Sequence, residues 1–311
     1  MTATFTAYPD EAAWLKARRQ LITSSDIPVL LGLLDQVSPF ALWLDKTGQG
    51  EPRESSYLMR RGHGMEGFIA AEYARETGRF ILDPGNYALT VRDWRGATVD
   101  RLASDCDSSV FHVSDVVDKD AGVSQKIVEG GDWQLLEIKA PTPYGMHKYS
   151  DGPDKYVTAQ VQWQMHVTGL AFADVAVDMG TRLDVFRVNA NPKLQAALER
   201  EAERFRGYVT TDTPPPPDGH PGTARAMAQF FSEPVEETVT LDAGAREWFD
   251  RMKVGGDEIG KLEHDVEEAK NEFRRELGQA QRGVASDLSF EVTWRANKNG
   301  VRTFRWKEID A

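Results

Sequence analysis

The segment Leu135–Ala140 carries an acid and a lysine two residues apart at the end of an apolar run. Side chains at positions i and i+2 of a β-strand point to the same face, so a strand here would aim Glu137 and Lys139 together. Carboxylate and carbonyl oxygens are the ligands that Mg²⁺ and Mn²⁺ prefer. We therefore predict a divalent metal held by Glu137, the Ile138 carbonyl and Asp100 from a neighbouring strand. Such a site hydrolyses phosphodiesters, with Lys139 positioning the attacking water.

Two further polar residues fit the same chemistry. Glu66 lies on a predicted helix and is expected to complete the metal site, and Gln160 lies on a later predicted helix and is expected to orient the site. Taken alone, the Glu-x-Lys pair is typical of a solvated strand edge, Asp100 of a turn, and Glu66 of an exposed helix surface. The order along the chain is more informative: a helical Glu, a strand Asp, a strand Glu-x-Lys and a helical Gln.

The elements that must position these residues are read from periodicity and capping signals. Helices are predicted over 10–34 (two, separated by a turn at 23–26 that caps a helix over 27–34), 39–48, 57–78, 156–168 and 191–208. Strands are predicted over 79–82, 87–90, 96–104, 133–139, 170–178 and 183–188, with a polar excursion over 118–131 and a loop over 141–154. The pattern indicates an α/β fold, a mixed sheet flanked by helices.

The proline run at 213–222 predicts a stiff connector. We expect a catalytic core over 1–212, a linker over 213–242, and a tail over 243–311. The tail is predicted to hold a helix over 243–282, interrupted at 255–256, with a coiled-coil seam over 262–277. A β-hairpin should follow over 288–306, because an Asn-Gly turn separates two alternating segments.

At these residues the sequence resembles the YqaJ-type viral recombinase and phage lambda exonuclease family of the PD-(D/E)XK nuclease superfamily. The resemblance covers about residues 12–190 and rests on five motifs in order, at 14–26, 61–66, 97–102, 135–141 and 156–165. One departure is Arg101, which follows Asp100 where the family has glycine and adds a positive charge there.

The resemblance implies a PD-(D/E)XK restriction-endonuclease-like core that binds Mg²⁺, with Mn²⁺ as an alternative, at Asp100, Glu137, Ile138 and Glu66. It implies that Arg18 and Ser25 bind the 5′-phosphate of a DNA end, where the turn before residue 27 also offers unpaired amides. The implied activity is a 5′-to-3′ exonuclease on double-stranded DNA ends that leaves 3′ overhangs for phage-type recombination. Implied partners are a single-strand annealing protein and further copies of the chain, as a trimeric ring or another oligomer.

Composition narrows the classes of function. The formal net charge is −12, which argues against a nonspecific nucleic-acid coat. A local basic strip is still expected from Lys16, Arg18, Arg19, Arg53, Arg60 and Arg61. The single cysteine, Cys106, excludes an internal disulfide framework and suits a reducing cytoplasm. The resemblance implies the cytoplasm of a phage-infected or prophage-carrying bacterium. Neither a membrane span nor a signal peptide is expected.

Two alternatives remain open from the sequence. The same fold could serve a structure-specific or repair endonuclease, which would cut closed-circular DNA. The chain could also be a non-catalytic DNA-binding or scaffold protein on a decayed nuclease fold, and this reading requires no Mg²⁺.

Overall fold

The structure is a computed structural model that describes residues 2–51, 55–85, 87–105, 111–118 and 122–309. The chain divides into two compact units, one ending at Pro234 and one beginning at Val235. Cys106 and Arg53 lie outside the described residues. Within the described part, no helix is both long and apolar enough to cross a membrane.

The described helices are α1 Glu11–Arg19, α2 Ile27–Leu30, α3 Pro39–Thr47, α4 Tyr57–Thr77, α5 Lys155–Thr168, α6 Pro192–Thr210, α7 Pro221–Phe230 and α8 Ala245–Leu277. The described strands are β1 Thr2–Ala7, β2 Phe80–Leu82, β3 Ala88–Arg92, β4 Arg95–Ala97, β5 Arg101–Ser104, β6 Phe111–Asp118, β7 Val123–Gly130, β8 Trp133–Lys139, β9 Phe172–Asp178, β10 Leu183–Asn189, β11 Arg282–Val284, β12 Phe290–Ala296 and β13 Arg302–Glu308.

A mixed five-stranded sheet in the order β10-β9-β8-β5-β2 forms the centre of the first unit. Its β8 and β9 are parallel and joined through α5, while the other pairs are antiparallel. Strand β8 is buried along its length except at Lys139, because both of its faces are covered. Leu135 packs among the core residues that include α5, whereas Leu136 and Ile138 pack with α4. This mixed sheet flanked by helices confirms the predicted α/β fold class.

A second five-stranded sheet, in the order β4-β3-β1-β7-β6, is entirely antiparallel. The prediction of a polar excursion over 118–131 is therefore wrong, because β7 pairs along its length with β1 at the N-terminus and with β6. Many residues of β7 are polar and only partly buried, so its side chains give no strong apolar alternation. Pairing with a segment over 100 residues away supplies the order that the local sequence does not indicate.

The predicted strand over 96–104 is two strands rather than one. Strand β4 pairs with β3 in the antiparallel sheet, and β5 pairs with β8 in the mixed sheet. The chain changes sheets at 98–100, so Asp100 lies at the junction between them. The break places this carboxylate beside the end of β8.

The predicted linker over 213–242 contains α7, which packs against α3 in the first unit. Ala226 is buried there, and the rings of Phe40 and Phe230 meet edge to face with centroids 6.3 Å apart. The division between the units falls at Pro234, after this helix. The apolar residues of α7 therefore belong to the core of the first unit.

The second unit contains α8 and a three-stranded antiparallel sheet, β11-β12-β13. The hairpin of β12 and β13 is confirmed, and Gly300 supplies the positive φ of 78° that its turn requires. The predicted interruption at 255–256 is wrong, since α8 runs unbroken through both glycines. Residues 282–284 form a strand on β12 and not the end of the helix.

Candidate metal centre

Helix α5 positions two glutamines against strand β8. The Asp154 side chain caps its first turn by accepting a hydrogen bond from the Val157 amide at 2.9 Å. Gly169 ends it in the left-handed conformation, with φ of 75°. Gln160 and Gln164 are four residues apart, so they lie on the same face of the helix.

The Glu137 carboxylate is buried, with 2% of its side chain exposed, and it is held by three side chains. Oε1 accepts hydrogen bonds from Lys139 Nζ at 2.5 Å and from Gln160 Nε2 at 2.8 Å. Oε2 accepts a hydrogen bond from Gln164 Nε2 at 2.8 Å. Lys139 also donates to Gln160 Oε1 at 3.3 Å. The structure thus brings Glu137, Lys139 and Gln160 into one cluster, as the sequence motifs predict.

Asp100 joins this cluster from the junction between the two sheets. Its Oδ2 accepts a hydrogen bond from the backbone amide of Ile138 at 2.8 Å. Burial raises the pKa of Asp100 well above its ordinary value, and the negative charges of Glu137 and Glu66 raise it further, against the opposing effect of Lys139. The cluster therefore brings two buried acids to one lysine, and ionisation of Asp100 is disfavoured there.

Lys139 is protonated at neutral pH. Burial lowers the pKa of its ammonium group, but the charges of Glu137 and Asp100 outweigh burial and raise the pKa above the usual lysine value. The side chain is 20% exposed, so its head can also contact a molecule that enters from solvent. It can donate hydrogen bonds and attract anions, but it is a poor base while these acids are ionised.

Glu66 has contacts that the sequence does not predict. His63 Nδ1 lies 2.8 Å from Glu66 Oε1, and the Arg101 guanidinium lies 4.0 Å from Oε2. Arg101 also pairs with Asp83 at 3.2 Å and donates to the carbonyl of Asp100 at 2.5 Å. Arg101 is therefore directed to Glu66, Asp83 and a backbone carbonyl, and no described hydrogen bond or ion pair joins it to the Asp100 carboxylate.

The donor set fits a hard divalent cation. Asp100 and Glu137 supply carboxylate oxygens, and their mutual repulsion would fall when a cation enters. Gln164 adds a second observation: its Oε1 is buried and has no hydrogen-bond partner, although its Nε2 is bonded to Glu137 and to the carbonyl of Thr98. An orphaned carbonyl-type oxygen beside a buried carboxylate suits a cation or its hydration shell.

Another group of possible ligand residues occurs in the second unit. His264, Asp265 and Glu268 lie within reach of one another on α8, and all three are exposed. Acidic residues spaced this way are ordinary on a solvated helix face, as the sequence predicts for this segment.

A second cluster forms around Arg18 and Ser25. The Arg18 guanidinium donates to Ser25 Oγ at 2.5 Å and to Thr23 Oγ1 at 3.2 Å, and it lies over the Trp14 ring at 4.4 Å from the centroid. A planar cation beside hydroxyl groups is the arrangement that binds phosphate. The two residues to which the resemblance assigns a 5′-phosphate are thus in contact.

Below this pocket lies an ion pair that the sequence analysis does not identify. Lys46 on α3 is buried and pairs with Asp26 Oδ2 at 2.6 Å, while it also donates to the carbonyls of Arg18 and Leu21 at 3.1 and 2.8 Å. Burial raises the pKa of Asp26, but the charges of Lys46 and Arg18 prevail, so its pKa is lowered. No local pattern marks Lys46, because its partners lie 20 to 28 residues away.

The predicted helix over 27–34 is a single turn, α2, and Asp26 does not cap it. The Asp26 carboxylate instead accepts hydrogen bonds from the amide and hydroxyl of Thr23 at 2.7 and 2.8 Å. One turn of helix offers little dipole, so the cationic and hydroxyl side chains must provide phosphate affinity here.

Gln164 is also absent from the sequence-based site. The signal that could have found it is its spacing, since it falls one helical turn after Gln160 on the same face. The basic strip is partly visible: Lys16, Arg19 and Arg60 are exposed, and Arg61 is directed to the carbonyl of Ala140 at 2.8 Å.

Comparisons with known proteins cover the segment that carries both clusters. The family model for the YqaJ-like viral recombinase domain matches residues 13–171, about half of the chain. The uncharacterized protein YqaJ of Bacillus subtilis (strain 168) is 25% identical over 296 residues, which cover 91% of this chain and 82% of that protein.

Solved structures are also similar. An alkaline exonuclease, LHK-Exo, from Laribacter hongkongensis is 21% identical over 64% of this chain and 92% of its own, with a TM-score of 0.46. A phage-related exonuclease from Haemophilus somnus 129PT is 9% identical over 63% of this chain and 96% of its own, with a TM-score of 0.42. The family model spans the Arg18 pocket and every residue of the Glu137 cluster, and the chain belongs to the YqaJ-like viral recombinase family.

Proposed function

We propose that this chain is a metal-dependent exonuclease that degrades one strand of double-stranded DNA from its 5′ end and leaves a 3′ overhang. The observation that carries the proposal is the buried Glu137 carboxylate, held by Lys139 and two glutamines beside the under-neutralised Asp100. Family membership supports a nuclease role. The 5′-to-3′ polarity, the choice of Mg²⁺ and the recombination context belong to the proposal.

Asp100, Glu137 and the Ile138 carbonyl would hold Mg²⁺ or Mn²⁺, with Glu66 assisting. When bound, the cation would polarise the scissile phosphate and lower the pKa of water. Gln160 and Gln164 fix the Glu137 carboxylate, so its oxygens face one direction without a conformational change at the moment of reaction. Protonated Lys139 positions water by hydrogen bonding and offsets negative charge that develops on the phosphate.

The Arg18 pocket would set where along the strand the chemistry occurs. The Ser25 hydroxyl can donate to a phosphate oxygen while the Arg18 guanidinium supplies charge. A 5′-phosphate fixed there would place the adjoining phosphodiester at the metal centre. The enzyme would then depend on DNA ends and prefer those that carry a 5′-phosphate.

Other copies of this chain and a single-strand annealing protein are proposed as partners. A ring, trimeric or of another order, would keep an acidic chain around DNA with its catalytic sites facing inward. This arrangement would reconcile the net charge of −12 with a nucleic-acid substrate.

The test uses a linear duplex that carries a 5′-phosphate at one end and a 5′-hydroxyl at the other, with each strand labelled at its 3′ end. A closed-circular duplex is the parallel control. With Mg²⁺ we expect the phosphorylated strand to shorten from its 5′ end, the circle to stay intact, and EDTA to stop the reaction. Cutting of the circle would instead support the endonuclease, and no cleavage with Mg²⁺ or Mn²⁺ would support the scaffold.

A further inference from the structure

Helix α8 carries an apolar seam that extends beyond the predicted segment 262–277 towards the N-terminus of the helix. Residues at alternating intervals of four and three run along one side of the helix: Trp248, Met252, Gly255, Ile259, Leu262, Val266, Ala269 and Phe273. This is the spacing of core positions in a coiled coil, and it indicates that a second helix packs along the seam. Because α8 is unbroken at its glycines, the seam is continuous for about 39 Å, at ~1.5 Å per residue.

The small sheet of the second unit covers only one end of this seam. Phe273 packs against Phe290 and Phe304, with ring centroids 5.8 and 6.2 Å away. Towards the N-terminus, the large side chains of the seam, from Trp248 to Val266, are between 51% and 69% exposed. An apolar stripe of this length on a helix indicates a binding surface.

Charges beside the middle of the seam indicate what can bind there. Glu258, Glu263 and Asp265 occupy the flanking positions around Ile259, Leu262 and Val266, and no flanking lysine or arginine lies between them. Flanking charges of a coiled coil decide partner choice and orientation. A matching helix must therefore present cations at this level.

A second copy of the chain does not meet that requirement. In a parallel pair in register, Glu258 faces Glu263 of the other copy, and this contact occurs twice. In an antiparallel pair centred on Ile259 and Leu262, Glu258 faces Asp265 of the other copy, again twice. Both arrangements place like charges together in the middle of the seam. The flanking cations of this chain, Arg251 and Lys270, lie towards the ends of the seam, so in a self-paired seam they offset repulsion there and not in the middle.

We propose that the α8 seam, residues 248–269, binds an amphipathic helix of a partner protein whose flanking side chains are lysine or arginine. Gly255 on the seam and Gly256 beside it contribute to the fit, because a Cβ added at either of them would meet no atom within 4 Å. They leave a notch in which a large apolar side chain of the partner can anchor. This proposal does not depend on the nuclease assignment.

The test uses the full-length protein and a synthetic, fluorescently labelled peptide of three heptads, with leucine and isoleucine at core positions and lysine at flanking positions. A matched peptide carries glutamate at the flanking positions. We expect the lysine peptide to bind at least about 10-fold more tightly by fluorescence anisotropy, and salt to reduce that difference because screening weakens exposed charge pairs.

Variants of the chain then distinguish the contribution of the seam to peptide binding from that of the net charge of the helix. The double variant Ile259→Ser/Leu262→Ser changes exposed side chains only, and we expect it to lose at least about 10-fold in affinity for the lysine peptide. The triple variant Glu258→Gln/Glu263→Gln/Asp265→Asn should lose the preference for lysine. The matched control Asp257→Asn/Glu268→Gln alters acids away from the seam and should retain the preference.

Three results would overturn the proposal. One is equal binding of the two peptides by the wild-type protein. The second is no measurable binding of either peptide. The third is a dimer in light scattering that Ile259→Ser/Leu262→Ser dissociates, which would assign the seam to a second copy of this chain.

Discussion

Two clusters of buried acids on the mixed sheet differ in how their charge is balanced. Asp174 on β9 is contacted by Arg79 at 2.5 Å, Arg187 at 2.9 Å, the Tyr73 hydroxyl at 2.6 Å and Gln134 at 2.6 Å. Glu137, on the opposite face of the neighbouring strand, has one lysine and two glutamines, with a second acid, Asp100, close by. The Asp174 cluster is neutralised by two arginines of the chain, whereas the Glu137 cluster has one lysine for two acids and is under-neutralised.

The pKa values follow this difference. Burial raises the pKa of Asp174, but hydrogen bonds from Arg187 and Tyr73 and the charges of both arginines prevail, so the pKa falls below its usual value. Burial and the hydrogen bond to Asp174 raise the pKa of Tyr73 to about 12. The pKa of Asp100 is raised instead. Breaking the contacts of a buried acid that has a complete set of partners is costly, while a buried acid without them is a candidate functional site.

The largest effect on DNA cleavage should come from replacing charged side chains of the under-neutralised Glu137 cluster. Lys139→Ala and Asp100→Asn should each reduce DNA cleavage between about 10²-fold and 10⁴-fold, the range typical for a positioned catalytic group. Asp100→Asn should also raise the melting temperature in EDTA, because it removes a repelled charge. Cleavage rates and thermal unfolding of the purified variants measure both effects. Full activity in both variants would break the proposed assignment.

At the neutralised Asp174 cluster we expect a loss of stability and little change in DNA cleavage. Asp174→Asn leaves Arg79 and Arg187 facing each other without their shared acid and should lower the free energy of unfolding by about 3 kcal/mol, the low end for a broken buried pair. The low end applies because the Arg187 side chain is 44% exposed and keeps contact with water. Chemical denaturation measures the loss. Cleavage per folded molecule should stay near the wild-type value, and a loss comparable to that of Lys139→Ala would make the two clusters functionally alike.

A smaller effect should come from Gln164, which holds Glu137 but does not supply charge. Gln164→Leu should weaken the apparent affinity for Mg²⁺ by about 10-fold to 100-fold, as for other residues that orient a metal ligand. The matched control is Gln162→Leu on the same helix, since Gln162 bonds to Asn189 and Asn191 and not to the site. Cleavage titrated against Mg²⁺ distinguishes them. Equal shifts in both variants would indicate a general effect on α5.

The subtlest difference is in pH dependence. The folded pKa of Asp174 is lowered, so its contribution to stability is present above the ordinary aspartate pKa of about 4 and is lost as pH falls through the folded value. The folded pKa of Asp100 is raised, so its contribution is fully present below about 4 and is lost as pH rises through the folded value.

Thermal unfolding in EDTA from pH 3 to pH 8 compares the two acids. Asp174→Asn should remove part of the loss of stability at acid pH, and Asp100→Asn should remove part of the decline towards neutral pH. Identical pH profiles for the two variants would contradict the opposite charge balance of the clusters. Saturating Mg²⁺ should reduce the decline in the wild type, because a bound cation favours the ionised carboxylates.

The elements around the site were largely predictable, and the reasons are local. Strand β8 carries an apolar run, α4 carries apolar residues at helical spacing and ends at Gly78, and α5 lies between Asp154 and Gly169. The hairpin of β12 and β13 carries an Asn-Gly turn. Strands that pair with distant segments of the chain were not predicted correctly from local patterns. Strand β7 depends on β1, and the strand predicted over 96–104 divides because its halves join different sheets.

The sequence by itself determined the types and order of the acids, lysine and glutamine, because these follow from single residues and short spacings. Tertiary structure decided how they are balanced. Arg79 and Arg187 meet Asp174 from separate elements, Gln164 reaches Glu137 across the helix–sheet interface, and Lys46 secures the Arg18 pocket from another helix. Burial and charge pairing are sums over neighbours that are remote in the chain, so no local pattern of residues contains them.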